Sequence, residues 1–316
     1  MIPIGRSRVL TDISAKNEAS TDSYELVDAF YWKNWGVRVK IAWVVDSASG
    51  IDREFAEAND IHVVPLQVIF EDGSYDDMVD ITEEEFYHRL AQGMMPKSSQ
   101  PSLGTFIELY ERLEREGYDR AISLHMSGAL SGTVNTARMA AENVDLPVDV
   151  MDSGIVAKPM LFILEEGLRL HKAGYGPEEI LAGMGAMRDR VVGYFIVNDL
   201  HYLHRGGRLK ATSARIGSLL QIKPILKFEN QTFDAIAKVR TFTKAKEYLF
   251  RLLDADASQC EISEINVIHA NYCEEAEKWL ASLREKFRDI PMKISTLGTA
   301  VAVHSGAHAI GLAWTR

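Results

Sequence analysis

The sequence predicts an α/β protein whose first part is built on a mainly parallel sheet. Three observations predict it. Short apolar runs at residues 41–45, 121–126 and 148–151 alternate with segments of helical periodicity, the pattern of strands joined by crossover helices. After about Gly174 that alternation gives way to shorter strands and longer helices. The length, 316 residues, suits one large domain or two ordinary ones.

Taken in order, residues 1–38 are polar, with an aromatic cluster at Phe30, Tyr31, Trp32 and Trp35, and read as an extension with a helix at about 24–35. Residues 41–45 form a strand followed by Asp46 and Ser47. The run 61–70 contains Pro65, which suits an irregular or edge strand. Thr82 starts a helix, with Glu85 completing a capping box and Ile81 and Phe86 able to form a hydrophobic staple. Phe106, Leu109, Tyr110 and Leu113 share one face of a second helix at about 105–116, which Gly117 can stop. Strand 121–126, helix 131–143, strand 148–151 and a strongly apolar helix over 155–171 follow. Residues 191–197 are strand-like and lead to a Gly206-Gly207 turn. Near the C-terminus Ala276, Trp279, Leu280, Leu283 and Phe287 fall on one helical face.

Composition bounds the function. Hydrophobic residues make up 47% and charged residues 25%, values of a globular chain able to bury a sizeable core. The 35 Lys and Arg against 45 Asp and Glu, a net charge of −10, argue against a nucleic-acid binder, which needs a basic face for phosphates. Two cysteines, Cys260 and Cys273, make no disulfide framework and suit a reducing compartment. Asp12, Glu18, Asp22, Glu25 and Asp28 interrupt any signal-peptide core, and no apolar run is long enough to span a bilayer. A cytoplasmic protein is expected, with room left for transient contact with a membrane surface.

In open α/β sheets, ligands collect beyond the carboxyl ends of the strands. There this sequence carries Asp46 and Ser47, then Ser127 to Thr133, then Asp152 and Ser153. Each pair alone is an ordinary cap; three together point to a site. In the segment 127–133, Gly132 admits close backbone approach and Ser131 stands at a helix start, where free N–H groups and the dipole favour a carboxylate or phosphate. Ser98-Ser99-Gln100-Pro101-Ser102 is a second hydroxyl cluster before a helix. Arg208, after Gly206-Gly207, can neutralise an anion or simply be solvated. His304 and His308, like His201 and His204, lack a third ligand, and Ser305 and Gly306 argue against a helix there, so no metal is expected. No Gly-x-x-x-x-Gly-Lys-Ser/Thr loop is present for ATP.

Several of these blocks occur together in one family. Asp46-Ser47, Pro65-Leu66, Tyr75 and Asp77, Ser99-Gln100-Pro101-Ser102, Leu130-Ser131-Gly132-Thr133, Asp152-Ser153, Asp199-Leu200 with Tyr202-Leu203, Gly206-Gly207-Arg208, Lys223-Pro224, Lys238-Val239-Arg240 and His304-Ser305-Gly306 stand in the order of the DegV family, from about Lys40 to the C-terminus. The resemblance implies a two-domain fold: a Rossmann-like, mainly parallel sheet domain at 39–157 and a smaller mixed α/β domain at 158–316, after the extension 1–38. It implies a long-chain fatty acid between the domains and no cofactor. Its carboxylate would be held by Ser98 or Ser99 and by Ser131, with Arg208 and His304 near, supported by Asp46, Ser47, Gly132, Thr133, Asp152 and Ser153. It further implies a carrier without catalysis of its own, which presents the carboxylate to a separate fatty acid kinase for acyl-phosphate formation. Lys238 and Arg240 are candidate docking charges.

Two departures stand out: Ser98 replaces the family's usual threonine and keeps the hydroxyl, and His308 replaces a glycine, with an altered headgroup pocket as one expectation. A C16 tail has roughly 14 methylenes at about 0.8 kcal/mol each, so the tail dominates affinity and the headgroup fixes orientation. Residues 155–170, 191–197 and 216–226 carry enough apolar side chains to line a tunnel. The competing readings are a serine hydrolase acting on a lipid ester through Ser131, His304 and Asp152, and a binder of another small anionic metabolite. Residues 128–132 do not form the Gly-x-Ser-x-Gly nucleophile elbow, which disfavours the hydrolase.

Overall fold

The computed structural model describes residues 39–209, 222–229 and 232–316. The extension 1–38, with the helix expected at 24–35, lies outside the described residues. Strands β1 (Ile41–Asp46), β2 (Ile61–Val64), β6 (Arg120–His125) and β7 (Val148–Asp152) pair in parallel in the order β2-β1-β6-β7. Pro65 ends β2, and the chain passes to β3 (Gln67–Phe70), which joins β4 (Gly73–Asp76) and β5 (Lys97–Ser99) in an antiparallel sheet. A six-stranded mixed sheet runs β10 (Thr232–Val239), β9 (Lys223–Glu229), β8 (Val191–Ile196), β13 (Ile310–Thr315), β11 (Ile265–His269), β12 (Met292–Thr296). Only its β11–β12 pair is parallel. This is the α/β architecture expected, a parallel sheet followed by a mixed one.

The helices cover the faces that their apolar stripes dictate. After α1 (Arg53–Ala58), α2 (Glu83–Ala91) starts at Thr82, whose Oγ1 accepts the Glu85 N–H at 3.2 Å. The Glu85 carboxylate turns to Arg89 (2.5 Å), i,i+4 on the same helix, so that bond forms in place of the reciprocal half of the capping box. In α3 (Leu103–Arg115) the predicted face Phe106, Leu109, Tyr110 and Leu113 is the buried one, and it packs on the parallel sheet beside α4 (Thr133–Ala141). The expected helix over 155–171 is α5 (Pro159–Ala173). It begins where Pro159 can take the first helical position, and Ala157 ahead of it has φ 66°. α5 lies between the two larger sheets in the central core. α6 (Pro177–Arg190) was not expected from periodicity: it buries only Pro177, Ile180 and Met184. Its marker is Glu179, which accepts the Gly176 N–H at 2.6 Å. α7 (His201–Arg205) precedes the glycine turn. α8 (Phe242–Ala257) and α9 (Cys273–Lys286) cover the far face of the six-stranded sheet. α10 (Thr299–Ser305) ends at Gly306, whose φ of 68° and ψ of 178° suit glycine alone. The helix absent from the expectation at His304 therefore exists, but stops before His308.

Two buried polar networks hold this arrangement. Asp46 Oδ2 accepts the Met126 N–H (2.8 Å) and meets His125 Nδ1 (3.1 Å); His125 Nε2 meets Ser123 Oγ (2.7 Å), and Ser123 Oγ meets Tyr110 Oη (2.8 Å). Asp46, Ser123 and His125 are fully buried, so this chain of aspartate, histidine and serine has no room for a substrate and ties β1, β6 and α3 together. The second network centres on Asp77. Its carboxylate accepts from Ser47 Oγ (2.7 Å), from Thr299 Oγ1 and from the backbone N–H groups of Thr299 and Ala300. Asp77 thus caps α10 from the opposite half of the chain, where the helix has no cap of its own. Burial pushes the Asp77 carboxyl above its ordinary range, and the four donors oppose that rise. Asp77→Ala strands these donors, and the expected cost is about 2–4 kcal/mol, read as a lowered urea midpoint.

Candidate functional site

A cavity of ≈ 360 Å³ lies between the parallel sheet and the six-stranded sheet, within the range of ordinary ligand pockets. Phe195, Leu226 and Phe233 line it from the six-stranded sheet, Val197 from just past β8, and Met126, Leu130 and Val156 from the loops after β6 and β7. Gly311 stands opposite Phe195 on β13, and its bare Cα admits the ring: an added Cβ would come 2.7 Å from Phe195 Cδ1. Of the segment 216–226 expected to line a tunnel, Leu226 does so, and 216–221 lie outside the described residues.

One end of the cavity is polar: Ser98, Ser99, Gln100, Ser131, Arg208 and His304 reach it. Ser98 is carried by β5, opposite Val68, and its Oγ lies 2.7 Å from His304 Nε2. His304 sits in the last turn of α10. Its Nδ1 is buried with no hydrogen-bond partner and rests against Gly206, where an added Cβ would come within 2.1 Å. Gly206 is needed for that space, because its φ of −73° is open to any residue. Burial, and then the nearby Arg208 and Arg205 cations, push the His304 pKa down to about 4, so the ring is neutral at pH 7. A proton on Nδ1 would be an unpaired buried donor. The tautomer with its proton on Nε2 avoids this: Nε2–H donates to Ser98 Oγ, and the Ser98 hydroxyl proton is free for an acceptor in the cavity.

Ser131 precedes α4, where its Oγ accepts the Thr133 N–H (3.3 Å) and meets Thr133 Oγ1 (2.8 Å). The N-cap of α4 is Gly132, without a side-chain cap, so Ser131 folds the turn just ahead of the helix and lines the cavity. Ser99 instead donates to the Gln100 carbonyl (3.2 Å). Arg208 donates from Nε to the Leu130 carbonyl (2.9 Å) and from Nη1 to the Gly206 carbonyl (2.5 Å), which fixes the guanidinium beside Ser131. Gln100 donates from Nε2 to Thr136 Oγ1 (2.6 Å) across Gly132, whose bare Cα is required because an added Cβ would come 2.0 Å from Gln100 Oε1.

The remaining expected residues stand behind this surface. Asp46 and Ser47 belong to the two buried networks. Asp152 accepts the N–H groups of Gly128 (3.1 Å) and Gly154 (2.8 Å), and Ser153 Oγ bonds the Ile155 carbonyl (3.0 Å). His308 does not line the cavity. It takes the left-handed conformation (φ 62°) usual for glycine, and its exposed ring packs on Tyr272, with centroids 5.0 Å apart. Lys238 and Arg240 are exposed at the end of β10, the edge strand of its sheet, just past a bulge between Ala235 and Ala237. Among the described residues no cluster of three His, Cys, Asp or Glu could hold a metal, and no helix is long and apolar enough to cross a membrane.

Hydroxyl protons beside a fixed guanidinium suit a carboxylate or another small anion. The neutral imidazole carries a pH signature. The folded protein takes up the His304 proton near pH 4 and the unfolded chain near 6.5, so the unfolded state binds more protons between these values. The stability of the unliganded protein should therefore fall by about 3 kcal/mol from pH 6.5 to 4 on this account, and His304→Gln should remove that part of the slope in urea titrations.

The model of the DegV family matches residues 40–316. A DegV domain-containing protein of Halalkalibacterium halodurans is 38% identical over 277 residues, spanning 87% of this chain and 98% of that relative. The crystal structure of DegV from Bacillus subtilis, a fatty acid binding protein, is 38% identical with a TM-score of 0.82, covering 88% of this chain and 99% of that one. A DegV family protein from Thermus thermophilus with fatty acid binding is 29% identical with a TM-score of 0.78, covering 87% and 99%. On the family match and these identities over most of both lengths, the chain belongs to the DegV family.

Proposed function

We propose that the protein binds a long-chain fatty acid, with the tail in the cavity and the carboxylate at Ser98 and Ser131 beside Arg208, and with Ser99 and His304 completing the polar end. The observation that carries this reading is the cavity itself: apolar over most of its wall, with hydroxyls and a guanidinium gathered at one end. The fatty acid binding of the Bacillus subtilis and Thermus thermophilus relatives supports it. The ligand would lie between a first domain at 39–157 and a second at 158–316. Native mass spectrometry of protein purified from cells tests the reading: a bound C14–C20 fatty acid is expected, and no bound mass even after adding oleate would count against it.

The protein acts in this reading as a carrier without catalysis of its own. Ser131 bonds Thr133 and not His304, and Asp152 is committed to two backbone N–H groups, so the hydrolase constellation is not assembled. The serine–histidine pair that lines the cavity, Ser98 with His304, has no acid on Nδ1, and two nearby arginines make the imidazole a poor base. The carboxylate is presented to a separate fatty acid kinase, which forms the acyl phosphate. Ser131→Ala and His304→Ala should weaken acyl transfer more than tail binding, since one hydrogen bond to a charged group contributes about 1.5–3 kcal/mol against on the order of 11 kcal/mol gross for a C16 tail. Loss of all fatty-acid binding by a folded variant would contradict that division.

Docking of the kinase would use Lys238 and Arg240, the exposed charges at the end of β10. Arg240→Glu should lower acyl-phosphate formation by the kinase while oleate binding stays intact. Unchanged acyl-phosphate formation removes the assignment.

A further inference from the structure

Four residues, 205 to 208, meet all three segments that build the polar end of the cavity. Gly206 leaves the space that His304 occupies, and Arg208 holds the Leu130 carbonyl next to Ser131. Arg205, the last residue of α7, does not line the cavity. Its Nη1 donates to the Met95 carbonyl (3.4 Å) and its Nη2 to the Pro96 carbonyl (3.0 Å). Those two carbonyls stand immediately before β5, and Ser98 lies two residues past Pro96. Among the described residues no other side chain bonds these carbonyls. The flanking Met94 and Met95 side chains are exposed and Pro96 is buried, so the turn is held by the packing of the Pro96 ring and by Arg205.

We propose that Arg205 is a positioning residue of the carboxylate site: by clamping the Met95 and Pro96 carbonyls it sets the Ser98–His304 hydrogen bond, and with it the direction in which the Ser98 hydroxyl proton meets the ligand. The chemistry follows from hydrogen-bond geometry. A planar guanidinium offers two parallel donors to two carbonyls and fixes the turn in angle as well as distance. With that clamp, Nε2–H of His304 occupies a lone pair of Ser98 Oγ, and the hydroxyl proton is aimed at the cavity. Without it, Ser98 shifts from His304, its hydroxyl rotates freely, and the discrimination of a carboxylate from an uncharged head is lost while the apolar wall is untouched.

This inference rests on the fatty-acid reading for its ligand, but not for its geometry, so two measurements separate them. The first compares palmitate with 1-hexadecanol, which share a C16 tail, by displacement of a fluorescent apolar probe from the full chain. Arg205→Gln should weaken palmitate about tenfold and hexadecanol less than about twofold, and Arg205→Lys should recover palmitate to within about threefold of the parent. Equal loss of both ligands, or no loss of either, overturns the proposal. The second follows the His304 ring nitrogens by NMR in the unliganded protein. In Arg205→Gln the Nε2 signal should lose its hydrogen-bond shift; an unchanged Nε2 signal overturns the proposal. If the parent protein binds neither C16 ligand, the fatty-acid reading fails, and the NMR measurement alone decides the role of Arg205.

Discussion

The polar end of the cavity hangs on a carboxylate that never touches it. Asp77 is 1% exposed, and it joins the turn after β1, its own loop after β4 and the start of α10 through Ser47, Thr299 and two backbone N–H groups. A carboxyl placed there is costly to desolvate, and only a full set of donors and the positive end of a helix offset that cost. Because α10 is seven residues long, fixing its first turn fixes its last, where His304 meets Ser98. A second tie, Glu83 accepting from Thr296 Oγ1 at 2.6 Å, crosses between the same halves of the chain.

Electrostatics explains how the end of the cavity can suit an anion in a chain that is acidic overall. The net charge of −10 repels anions at a distance, and screening confines that effect to about 8–10 Å in ordinary salt. Inside, the groups that decide are local. Arg208 is immobilised by two carbonyls, and the imidazole is kept neutral by burial and by the same arginines that favour an anion. A neutral ring can transmit a hydrogen bond through Ser98 without a charge of its own to be compensated when the site is empty. The hydroxyls are already committed to local bonds, Ser131 to Thr133 and Ser98 to His304, so little side-chain freedom remains to be lost on binding.

Much of the fold was legible because it depends on local periodicity. The buried face of α3 follows from Phe106, Leu109, Tyr110 and Leu113 alone, and the parallel sheet from the alternation of runs and helices. The low amphipathicity of α6 hid it, and the start of α5 was misplaced because its apolar run begins before the proline that nucleates it. The serine turns were visible as hydroxyl clusters at strand ends. What they do was not, because Ser98 meets His304 across 206 positions and Asp77 meets Thr299 across 222. Gln100 stood in a recognised block, yet its bond to Thr136 depends on the bare Cα of Gly132. Arg205 read as an ordinary charge at the end of a short helix, since nothing local marks carbonyls 110 and 109 residues away as its partners. His308 was expected to disturb the pocket, but the left-handed backbone it adopts turns its ring outward onto Tyr272.

The contact between Gly311 and Phe195 bears on how such a cavity changes over evolutionary time. Phe195 forms part of the wall, but the room for its ring is supplied by the glycine on the neighbouring strand, whose missing methyl group would sit 2.7 Å from the ring. A side chain at 311 would meet the Tyr194 carbonyl at 2.5 Å as well as that ring, so the strand and the wall would shift together. The dimensions of the chamber are thus written partly in a residue that no occupant touches, and divergence in what it holds need not leave a trace among the lining side chains.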